Sequence, residues 1–344
     1  MHLLIFNLKT DEDDELLGFT TDWINALAAQ CDKVSVITVS RGRASVKKNV
    51  RIFSLGKEEG ANRFQMAYRM YALLNEVSRL GPVKACFSHM IPTATCLAAP
   101  WLLWNNIPVI QWYSHVTTVP VVQRVAHRLS KKVYTIAQDT YHSELQPKKV
   151  KYVGHGIATD KYPYSFCSET KLRILTVTRL SPVKKVRLLI EALSLLPKDI
   201  DWACTIAGGA PDGHEQYELG LKKLVEENGL AKRVRFIGVV AQRNLSAVHQ
   251  QHNVHVDCSH SLNKANLEAM CSGLIPCSPA HTQMEEIKTC TYQEGCMHSL
   301  SKRLEHISKM RIPDREHLSQ KASKLIKEKY GLERMAKSII KEFL

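Results

Sequence analysis

The chain has 344 residues, of which 44% are hydrophobic and 23% are charged, values typical of a globular protein rather than a disordered or fibrous one. This length exceeds a single typical core and predicts two domains of roughly 150 to 180 residues each. The 47 Lys and Arg against 33 Asp and Glu give a formal net charge of +14. Such a balance indicates a phosphate-bearing or polyanionic partner, an anionic membrane surface, or only a solvated basic face.

The ten cysteines contain no Cys-x-x-Cys pair and lie mostly inside apolar runs such as KACFSH. They are therefore expected to be buried free thiols in a reducing compartment rather than a disulfide framework. His255, Cys258 and His260 have the chemistry of zinc ligands, but no second pair with finger-like spacing accompanies them. No apolar run approaches the roughly 20 residues of a membrane-spanning helix, and the N-terminus lacks a signal-peptide pattern. We expect a cytoplasmic protein, for which peripheral membrane contact is one candidate.

The first half of the chain alternates between apolar strand patterns and helical patterns. The segments are HLLIFNL (strand), a helix from Thr20 through WINALAAQC, KVSVITVS (strand), FQMAYRMYALLNEVSRL (helix), VKACFSH (strand), PTATCLAAPWLLWNN (helix), PVIQWYSH (strand), RVAHRLSKK (helix) and VYTIAQ (strand). This alternation predicts a parallel sheet with helices on both faces.

A turn-rich stretch at residues 153–171, VGHGIATDKYPYSFCSETK, is the best linker in the chain. The alternation then restarts with LRILTVTRL and continues into a helical tail. We therefore predict an α/β fold of two Rossmann-like, doubly wound parallel-sheet domains, at residues 1–160 and 165–330. A C-terminal helix at about 331–344 is a candidate to pack back on the N-terminal domain.

Two cations follow the first strand of the second half. Arg179 comes directly after that strand, and Lys184 lies at the start of the next helix. Ligands bind at such strand-turn-helix edges, because the amides and the dipole of a helix N-terminus favour anions. The two residues form either an anion clamp or a pair of ordinary surface cations.

Three further elements occupy strand ends in the same half. Gly208 and Gly238 permit a close backbone approach, or form plain turns. In CSHSLNKANLEAMCSGLIPCS a helix is predicted to start near Lys264, which places Glu268 about one turn in. A carboxylate there accepts two hydrogen bonds from a ribose diol, or caps its own helix. Since these elements follow successive strands of one sheet, we expect them to meet at one edge.

This ordered set of motifs resembles the family 4 retaining glycosyltransferases of the GT-B fold. The family pattern Gly-Arg-Leu-x-x-x-Lys-Gly is echoed by TRLSPVKK, with Arg179 and Lys184 in register. The family's linker segment His-Gly-Ile-Asp is echoed by HGIATDKY at residues 155–162. Its Glu-x7-Glu motif, which is followed by Ala-Met-x-x-Gly-x-Pro, is echoed by HSLNKANLEAMCSGLIP. The resemblance covers most of the chain and implies two domains facing across a substrate cleft.

The resemblance also implies roles for single residues. Arg179 and Lys184 would hold the donor diphosphate, and Glu268 the ribose. His115 in QWYSHVTT would be the histidine of the N-terminal half that faces the cleft, with His89 as the second candidate. Further donor contacts are implied for the base, the phosphates and the loop glycines, at Gly238, Val239, Val240, Lys264, Ala265, Asn266, Leu267, Gly18 and Gly208.

The chain departs from the family pattern at a few positions. His260 occupies the place of the first glutamate, whose carboxylate faces the donor sugar, so we expect His260 to affect sugar preference or turnover more than nucleotide affinity. Thr178 and Lys185 replace the glycines that flank the Arg/Lys pattern. The glycine pair usual in the first loop is reduced to Gly18, which follows the acidic run DEDDE.

The implied function is transfer of a hexosyl group from a nucleoside-diphosphate sugar to a glycan, lipid or small-molecule acceptor, with retention and without a metal ion or other cofactor. GDP-mannose is the favoured donor only because mannosyl transfer is common in the resembled family. One alternative is a nucleotide-sugar epimerase of the same fold. Another is a basic protein that binds nucleic acid or anionic lipid. The basic residues of this chain are scattered, however, and the sequence contains no RNP-like aromatic run, so no nucleic-acid partner is expected.

Overall fold

The computed structural model describes residues 1–14, 17–113, 121–136, 147–260, 263–280, 287 and 290–344. The chain divides into two compact units, Met1–Gly156 with Leu332–Leu344, and Ile157–Gly331. We call them the N-terminal and the C-terminal domain. Among the residues described, no helix is both long enough and apolar enough to cross a membrane.

The N-terminal domain contains a seven-stranded sheet in the order β3-β2-β1-β4-β5-β6-β7. All of its strand pairs are parallel, as the alternating pattern predicts. The elements are β1 (His2–Thr10), α1 (Thr20–Ala28), β2 (Lys33–Arg41), β3 (Val50–Ser54), α2 (Arg63–Arg79), β4 (Ala85–His89), α3 (Pro92–Leu97), α4 (Ala99–Trp104), β5 (Val109–Trp112), α5 (Val121–Leu129), β6 (Lys132–Thr135) and β7 (Val150–Tyr152).

Two details of this domain differ from the sequence prediction. The strand β3 was not predicted, because its pattern NVRIFS is short and only Val50 is fully buried. The helix predicted across residues 92–106 is divided into α3 and α4, with Pro100 at the start of the second helix. Proline lacks an N–H and clashes with the preceding turn, so it is tolerated only in the first turn of a helix.

The C-terminal domain contains a six-stranded sheet in the order β10-β9-β8-β11-β12-β13, again with parallel pairs throughout. The two parallel-sheet α/β domains confirm the predicted fold class. The elements are β8 (Leu172–Val177), α6 (Val186–Ser194), β9 (Trp202–Ala207), α7 (Glu215–Glu227), β10 (Val234–Phe236), α8 (Gln242–His249), β11 (Val254–Val256), α9 (Lys264–Ser272), β12 (Ile275–Pro279), β13 (Thr291–Tyr292), α10 (Met297–Lys309) and α11 (Ile312–Tyr330).

The last helix, α12 (Leu332–Lys341), belongs to the N-terminal domain and packs on α1. Its apolar side is buried, with Met335 and Ile339 among the covered side chains. At Gly156 an added Cβ would lie 2.7 Å from Leu332 Cδ1 and 3.1 Å from Trp23. The absence of a side chain at this glycine therefore lets the chain pass closely beside α12.

All ten cysteines are free thiols, and six of them are buried. Burial raises the pKa of the Cys204 and Cys86 thiols well above its ordinary value, which keeps them protonated and unreactive. The six buried thiols agree with the prediction and act as small apolar core residues, whereas Cys31, Cys96, Cys167 and Cys296 are only half-buried.

Candidate functional site

The strand order of the C-terminal domain places a topological switch point between β8 and β11. From β8 the sheet grows in one direction through β9 and β10, and in the other through β11, β12 and β13. In open parallel sheets, ligands bind at the carboxyl ends of the strands at such a point, because the flanking loops separate there. The loops after β8 and β11 carry Arg179 and His260, both singled out from the sequence.

The loop after β8 is fixed by a glycine of the neighbouring loop. Gly208 has φ +135°, and a Cβ added to it would lie 1.8 Å from the Thr178 carbonyl oxygen. The Gly208 N–H donates to the Gly238 carbonyl over 2.7 Å, which joins the ends of β9 and β10 as well. Gly208 and Gly238 therefore hold the backbone that leads into Arg179, and their contacts with a ligand stay a prediction.

The strand-end segment predicted to meet the base has a mixed environment. Gly238 has φ +69°, with nothing within 4 Å of an added Cβ. Val239 is 48% exposed, whereas Val240 packs against the buried cluster that contains Leu267. Gly238 and Val239 are therefore accessible at the sheet edge, while Val240 contributes to the core.

Arg179 and Lys184 lie in the same β8–α6 loop. The Arg179 side chain is exposed, and Lys184 ends a short 3₁₀ turn, Pro182–Lys184, and is half-buried. Burial lowers the pKa of Lys184; the carboxylate of Asp257 opposes this shift, and the charge of Arg179 adds to it. Within the described ranges, neither cation forms a hydrogen bond or an ion pair with an acidic side chain. Two neighbouring cations, one partly desolvated, favour binding of an anion.

Asp257 is a buried carboxylate directly after β11 that the sequence reasoning missed. It accepts from Ser259 N at 2.9 Å, from Ser259 Oγ at 2.6 Å and from Asn263 Nδ2 at 2.6 Å. Burial raises the pKa of Asp257, while the two hydrogen bonds from Ser259 and the charge of Lys184 oppose the shift. Its signal in the sequence is an acidic residue immediately after the apolar strand VHV, at the same edge as Lys184.

The start of α9 agrees with the prediction, but its capping limits which amides are open to a ligand. Asn263 is the N-cap residue, and its Oδ1 accepts from Asn266 N at 2.8 Å. Leu267 N donates to the Asn263 carbonyl at 3.4 Å. The amides of Asn266 and Leu267 are therefore engaged inside the helix start. Among the described residues the Ala265 N–H has no such partner, so this amide is available for phosphate.

Glu268 is buried, with 4% exposure, on the first turns of α9. Its Oε1 accepts from Lys264 Nζ in a close ion pair and from Gln242 Nε2 at 3.2 Å. Gln242 also donates to the Tyr162 hydroxyl at 3.4 Å. In the part of the chain that the structure covers, Oε2 of Glu268 accepts no hydrogen bond, so one carboxylate oxygen is available for a hydroxyl donor.

His260 is exposed, and its ring is held by a carboxylate that the sequence reasoning missed. Its Nδ1 lies 3.1 Å from Glu294 Oε1 and 3.0 Å from Glu294 Oε2. Glu294 also pairs with Lys185 Nζ at 2.5 Å. The contacts with Lys185 and His260 lower the pKa of Glu294 to about 2. Glu294 lies two residues after the end of β13, so its position after a strand end was the available signal.

The histidines near this edge do not assemble into a metal site. His255 is fully buried; Val177 N–H donates to its Nε2 at 3.3 Å, so its Nδ1–H donates to Asn266 Oδ1 at 3.1 Å. His260 contacts Glu294 instead. Over the described residues, no group of three His, Cys, Asp or Glu side chains is arranged to hold a metal ion.

In the N-terminal domain, His89 ends β4 beside the switch point between β1 and β4. Its Nδ1 lies 3.3 Å from Asn7 Oδ1, and the rings of Trp23 and Trp112 lie 5.2 Å and 5.1 Å from it. Burial lowers the pKa of His89 to about 3, so the ring is neutral near pH 7. His115, the preferred candidate, lies outside the described residues.

Two acidic residues after β1, Asp13 and Asp14, are paired with basic neighbours. Arg43 binds the Asp13 carboxylate through Nε and Nη2, both at 2.8 Å, and Lys9 Nζ lies 2.6 Å from Asp14 Oδ2. The Gly18 N–H donates to the Asp14 carbonyl at 3.1 Å, and an added Cβ would lie 2.6 Å from that oxygen. These contacts explain why a glycine is needed at position 18, since a side chain there would overlap the Asp14 carbonyl oxygen. The predicted contact of Gly18 with the donor stays a prediction.

Comparisons with known proteins agree with this architecture. Residues 165–325 match the family model described as "Glycosyl transferases group 1". No curated protein matches the chain in sequence. HepE from Anabaena, solved in complex with UDP, has a TM-score of 0.77 and 14% identity over 99% of this chain and 99% of its own.

Two further solved structures are similar over nearly their whole lengths. Sucrose-phosphate synthase from Thermosynechococcus elongatus has a TM-score of 0.75 at 13% identity, covering 99% of this chain and 98% of that one. WaaG, a glycosyltransferase involved in lipopolysaccharide biosynthesis, has a TM-score of 0.67 at 16% identity, covering 98% and 99%. At these identities the likeness shows the fold alone. The chain therefore has the fold of two parallel-sheet α/β domains of the GT-B type, and residues 165–325 match the group 1 glycosyl transferase model.

Proposed function

We propose that the chain is a retaining glycosyltransferase that moves a hexosyl group from a nucleoside-diphosphate sugar to an acceptor without a metal ion. The observation that carries this proposal is the pair Arg179 and Lys184 at the switch point of the C-terminal sheet. Both cations lack acidic partners among the described residues, and Lys184 is partly desolvated. The group 1 match over residues 165–325 supports the same reaction class.

The diphosphate would lie against these cations and the start of α9. Breaking the bond between the sugar C1 and the phosphate oxygen places negative charge on the departing diphosphate. Arg179, Lys184 and the Ala265 amide would bind that developing charge more strongly than the intact donor, which lowers the barrier. Two side-chain cations supply the neutralising charge that a metal ion supplies in other enzymes, and this supports metal independence.

The nucleoside would bind beside the diphosphate on the same domain. Glu268 offers one carboxylate oxygen for the ribose diol, while Lys264 and Gln242 hold the other. The exposed backbone at Gly238 and Val239 lies at the same sheet edge, where the base would fit. The family resemblance favours GDP-mannose as donor, whereas the similar structure of HepE contains UDP, so both nucleotides belong in the test.

The acceptor would be a glycan, a lipid or a small molecule, read by the N-terminal domain. We place the protein in the cytoplasm, with peripheral membrane contact if the acceptor is a lipid. The basic balance of the chain, +14, supports acceptors or surfaces that carry negative charge.

The test is turnover with a panel of UDP- and GDP-hexoses, measured as release of nucleoside diphosphate and as glycosylated product. We expect one donor to be consumed, with the anomeric configuration kept in the product and with no loss of rate after treatment with a chelator. Lys184→Ala should lower the rate about 10²- to 10³-fold. Lys223→Ala, on the exposed side of α7, is the control and should leave the rate unchanged.

Three results would contradict the proposal. Epimerised nucleotide sugar without transfer would identify a nucleotide-sugar epimerase. Equal rates for Lys184→Ala and Lys223→Ala would show that Lys184 does not stabilise the departing diphosphate. Consumption of no donor across the panel would argue against transfer from nucleotide sugars altogether.

A further inference from the structure

A groove runs along the outer face of α10 in the C-terminal domain. We call it the α10 groove; its volume is about 540 Å³, within the range of roughly 300–1,000 Å³ that small-molecule sites occupy. The opposite face of the helix is anchored in the domain core by Leu300, Leu304 and Ile307. The side chains that α10 contributes to the groove are polar or basic, and they include His298, Ser299, Lys302, Arg303 and His306.

The spacing of these side chains places them in two rows along the helix. His298, Lys302 and His306 recur every four residues, and Ser299 and Arg303 repeat the same interval beside them. Residues four apart share a helix face and lie about 6 Å apart along its axis. A histidine ring carries an N–H donor in either neutral tautomer, and a serine hydroxyl also donates. The α10 groove therefore offers a line of hydrogen-bond donors about 12 Å long.

The charge in the α10 groove is positive and unbalanced. Lys302 and Arg303 contribute two positive charges, and among the described residues no carboxylate lines the groove. The acidic side chains of residues 290–309 are Glu294 and Glu305, and both pair with lysines that lie outside the lining. In the part of the chain that the structure describes, Lys302 forms no ion pair. Cations gathered in a concave surface without acidic partners attract an anion.

The α10 groove follows one margin of the sheet rather than its switch point. Arg303 Nε donates to the Thr291 carbonyl at 2.7 Å, which fixes the guanidinium beside β13, the last strand in the sheet order. Arg179 and Lys184 follow β8, which is three strand spacings away, or about 14 Å. The α10 groove is therefore separate from the candidate donor site.

The surroundings of the α10 groove favour a soluble phosphate over a lipid headgroup. Within the described ranges, none of the large apolar side chains that are exposed belongs to β13 or α10. Binding in a membrane interface uses such side chains, because they bury apolar area among the lipids. A phosphate monoester carries close to two negative charges and three acceptor oxygens. These match two cations flanked by N–H and O–H donors.

We propose that the α10 groove binds the phosphate group of a soluble small molecule. Lys302 and Arg303 supply the neutralising charge, and Ser299 donates a hydrogen bond beside them. His298 and His306, at either end of the row, contact the rest of the ligand. This site lies outside the proposed donor site and does not depend on the proposed reaction, so the full chain binds the phosphate whether or not it transfers a sugar.

The experiment follows the ring signals of His298 and His306 by nitrogen NMR of the full chain. His298→Gln and His306→Gln assign the two signals. The probe is glycerol 3-phosphate, with glycerol as the uncharged control. We expect both signals of the wild type to shift saturably with glycerol 3-phosphate and to stay in place with glycerol. Lys302→Ala should raise the Kd about tenfold, the loss of one charge-assisted hydrogen bond.

Two control variants separate local binding from a general effect of charge. Lys309→Ala removes a lysine from the same helix, one that pairs with Glu305 outside the lining, and should leave the Kd within twofold of wild type. Arg179→Ala should do the same, because the α10 groove is separate from the switch point. The urea midpoint of Lys302→Ala should match that of Lys309→Ala, since both side chains are exposed.

Three results would overturn this inference. The first is the absence of saturable shifts at His298 and His306, or an equal Kd in Lys302→Ala and Lys309→Ala. The second is loss of the shifts in Arg179→Ala, which would assign the phosphate to the donor site. The third is binding to vesicles of phosphatidylcholine with phosphatidic acid but not to glycerol 3-phosphate, which would identify a membrane surface instead. Failure of sugar transfer would leave the prediction for glycerol 3-phosphate unchanged.

Discussion

Gly208→Ala tests whether the loop contact under Arg179 organises the C-terminal domain. A Cβ at this position would lie 1.8 Å from the Thr178 carbonyl oxygen and 2.8 Å from the Thr178 carbonyl carbon, at a backbone φ of +135°. The conformational strain costs roughly 1–2 kcal/mol. The overlap with backbone atoms costs a further 1–3 kcal/mol or so, because no rotamer change relieves it. We expect a total loss of about 3 kcal/mol in the free energy of unfolding.

The assay is urea unfolding of the full chain followed by circular dichroism, with Gly229→Ala as the matched control. Gly229 also has a positive φ, +68°, but nothing lies within 4 Å of an added Cβ. The control should therefore lose only about 1 kcal/mol, the strain contribution. Because Arg179 follows Thr178, Gly208→Ala should also weaken nucleotide binding, and Gly229→Ala should not. Equal stability and equal nucleotide affinity in the two variants would refute this account of the loop.

The remaining predictions concern the buried histidines, the start of α9 and the last helix. Burial lowers the pKa of His249 to about 3 and that of His255 to about 4. Because both histidines have a pKa of 6.5 in the unfolded chain, the folded protein loses stability as the pH falls below 6.5. Each should contribute a loss of about 2 kcal/mol between pH 6.5 and pH 5, and a flat urea midpoint over that range would contradict the argument. Asn263→Ala should lower the free energy of unfolding by about 1 kcal/mol, because the N-cap of α9 is lost. Asn263→Asp should lower it at least as much, because the new carboxylate would face the carboxylate of Asp257. Full stability in the aspartate variant would refute the contact with Asp257. Ile339→Ala, at a fully buried site of α12, should cost about 2–5 kcal/mol in urea unfolding, and a loss below 1 kcal/mol would show that α12 is not part of the core.

The fold class could be predicted from the sequence because apolar strands and amphipathic helices alternate along nearly the whole chain. The same alternation placed Arg179, Lys184 and Glu268 after strands of one domain, and residues after successive parallel strands meet at one edge. What the pattern could not give was the short strand β3, which is only partly buried, and the division of the third helix at Pro100.

Contacts between distant positions were beyond the sequence. Glu294 lies 109 residues from Lys185 and 34 from His260, so no local spacing connects them. The side chain of Asn263 also occupies the amide of Asn266, which depends on its rotamer rather than on the helix position, whereas the amide of Leu267 is taken by the ordinary helical hydrogen bond to the Asn263 carbonyl. His260, which stands at the first-glutamate position of the resembled pattern, is an example: a carboxylate reaches it from another strand end, and no local pattern indicates this contact.

The measurement that tests the central claim most directly is calorimetry of UDP and GDP with the wild-type chain, Arg179→Ala and Arg311→Ala. Arg311, an exposed residue just before α11, is the control. It lies close in sequence to Arg315, which donates to the carbonyl oxygens of Glu169 and Thr170. These two residues precede β8, so Arg311 lies at the opposite edge of the sheet from Arg179. We predict that the wild type binds one nucleotide and that Arg179→Ala weakens this binding about 10- to 100-fold, the loss of a charge-assisted hydrogen bond. Arg311→Ala should bind as the wild type does. Wild-type chain that binds neither nucleotide, or equal affinity in the Arg179 and Arg311 variants, would contradict the account.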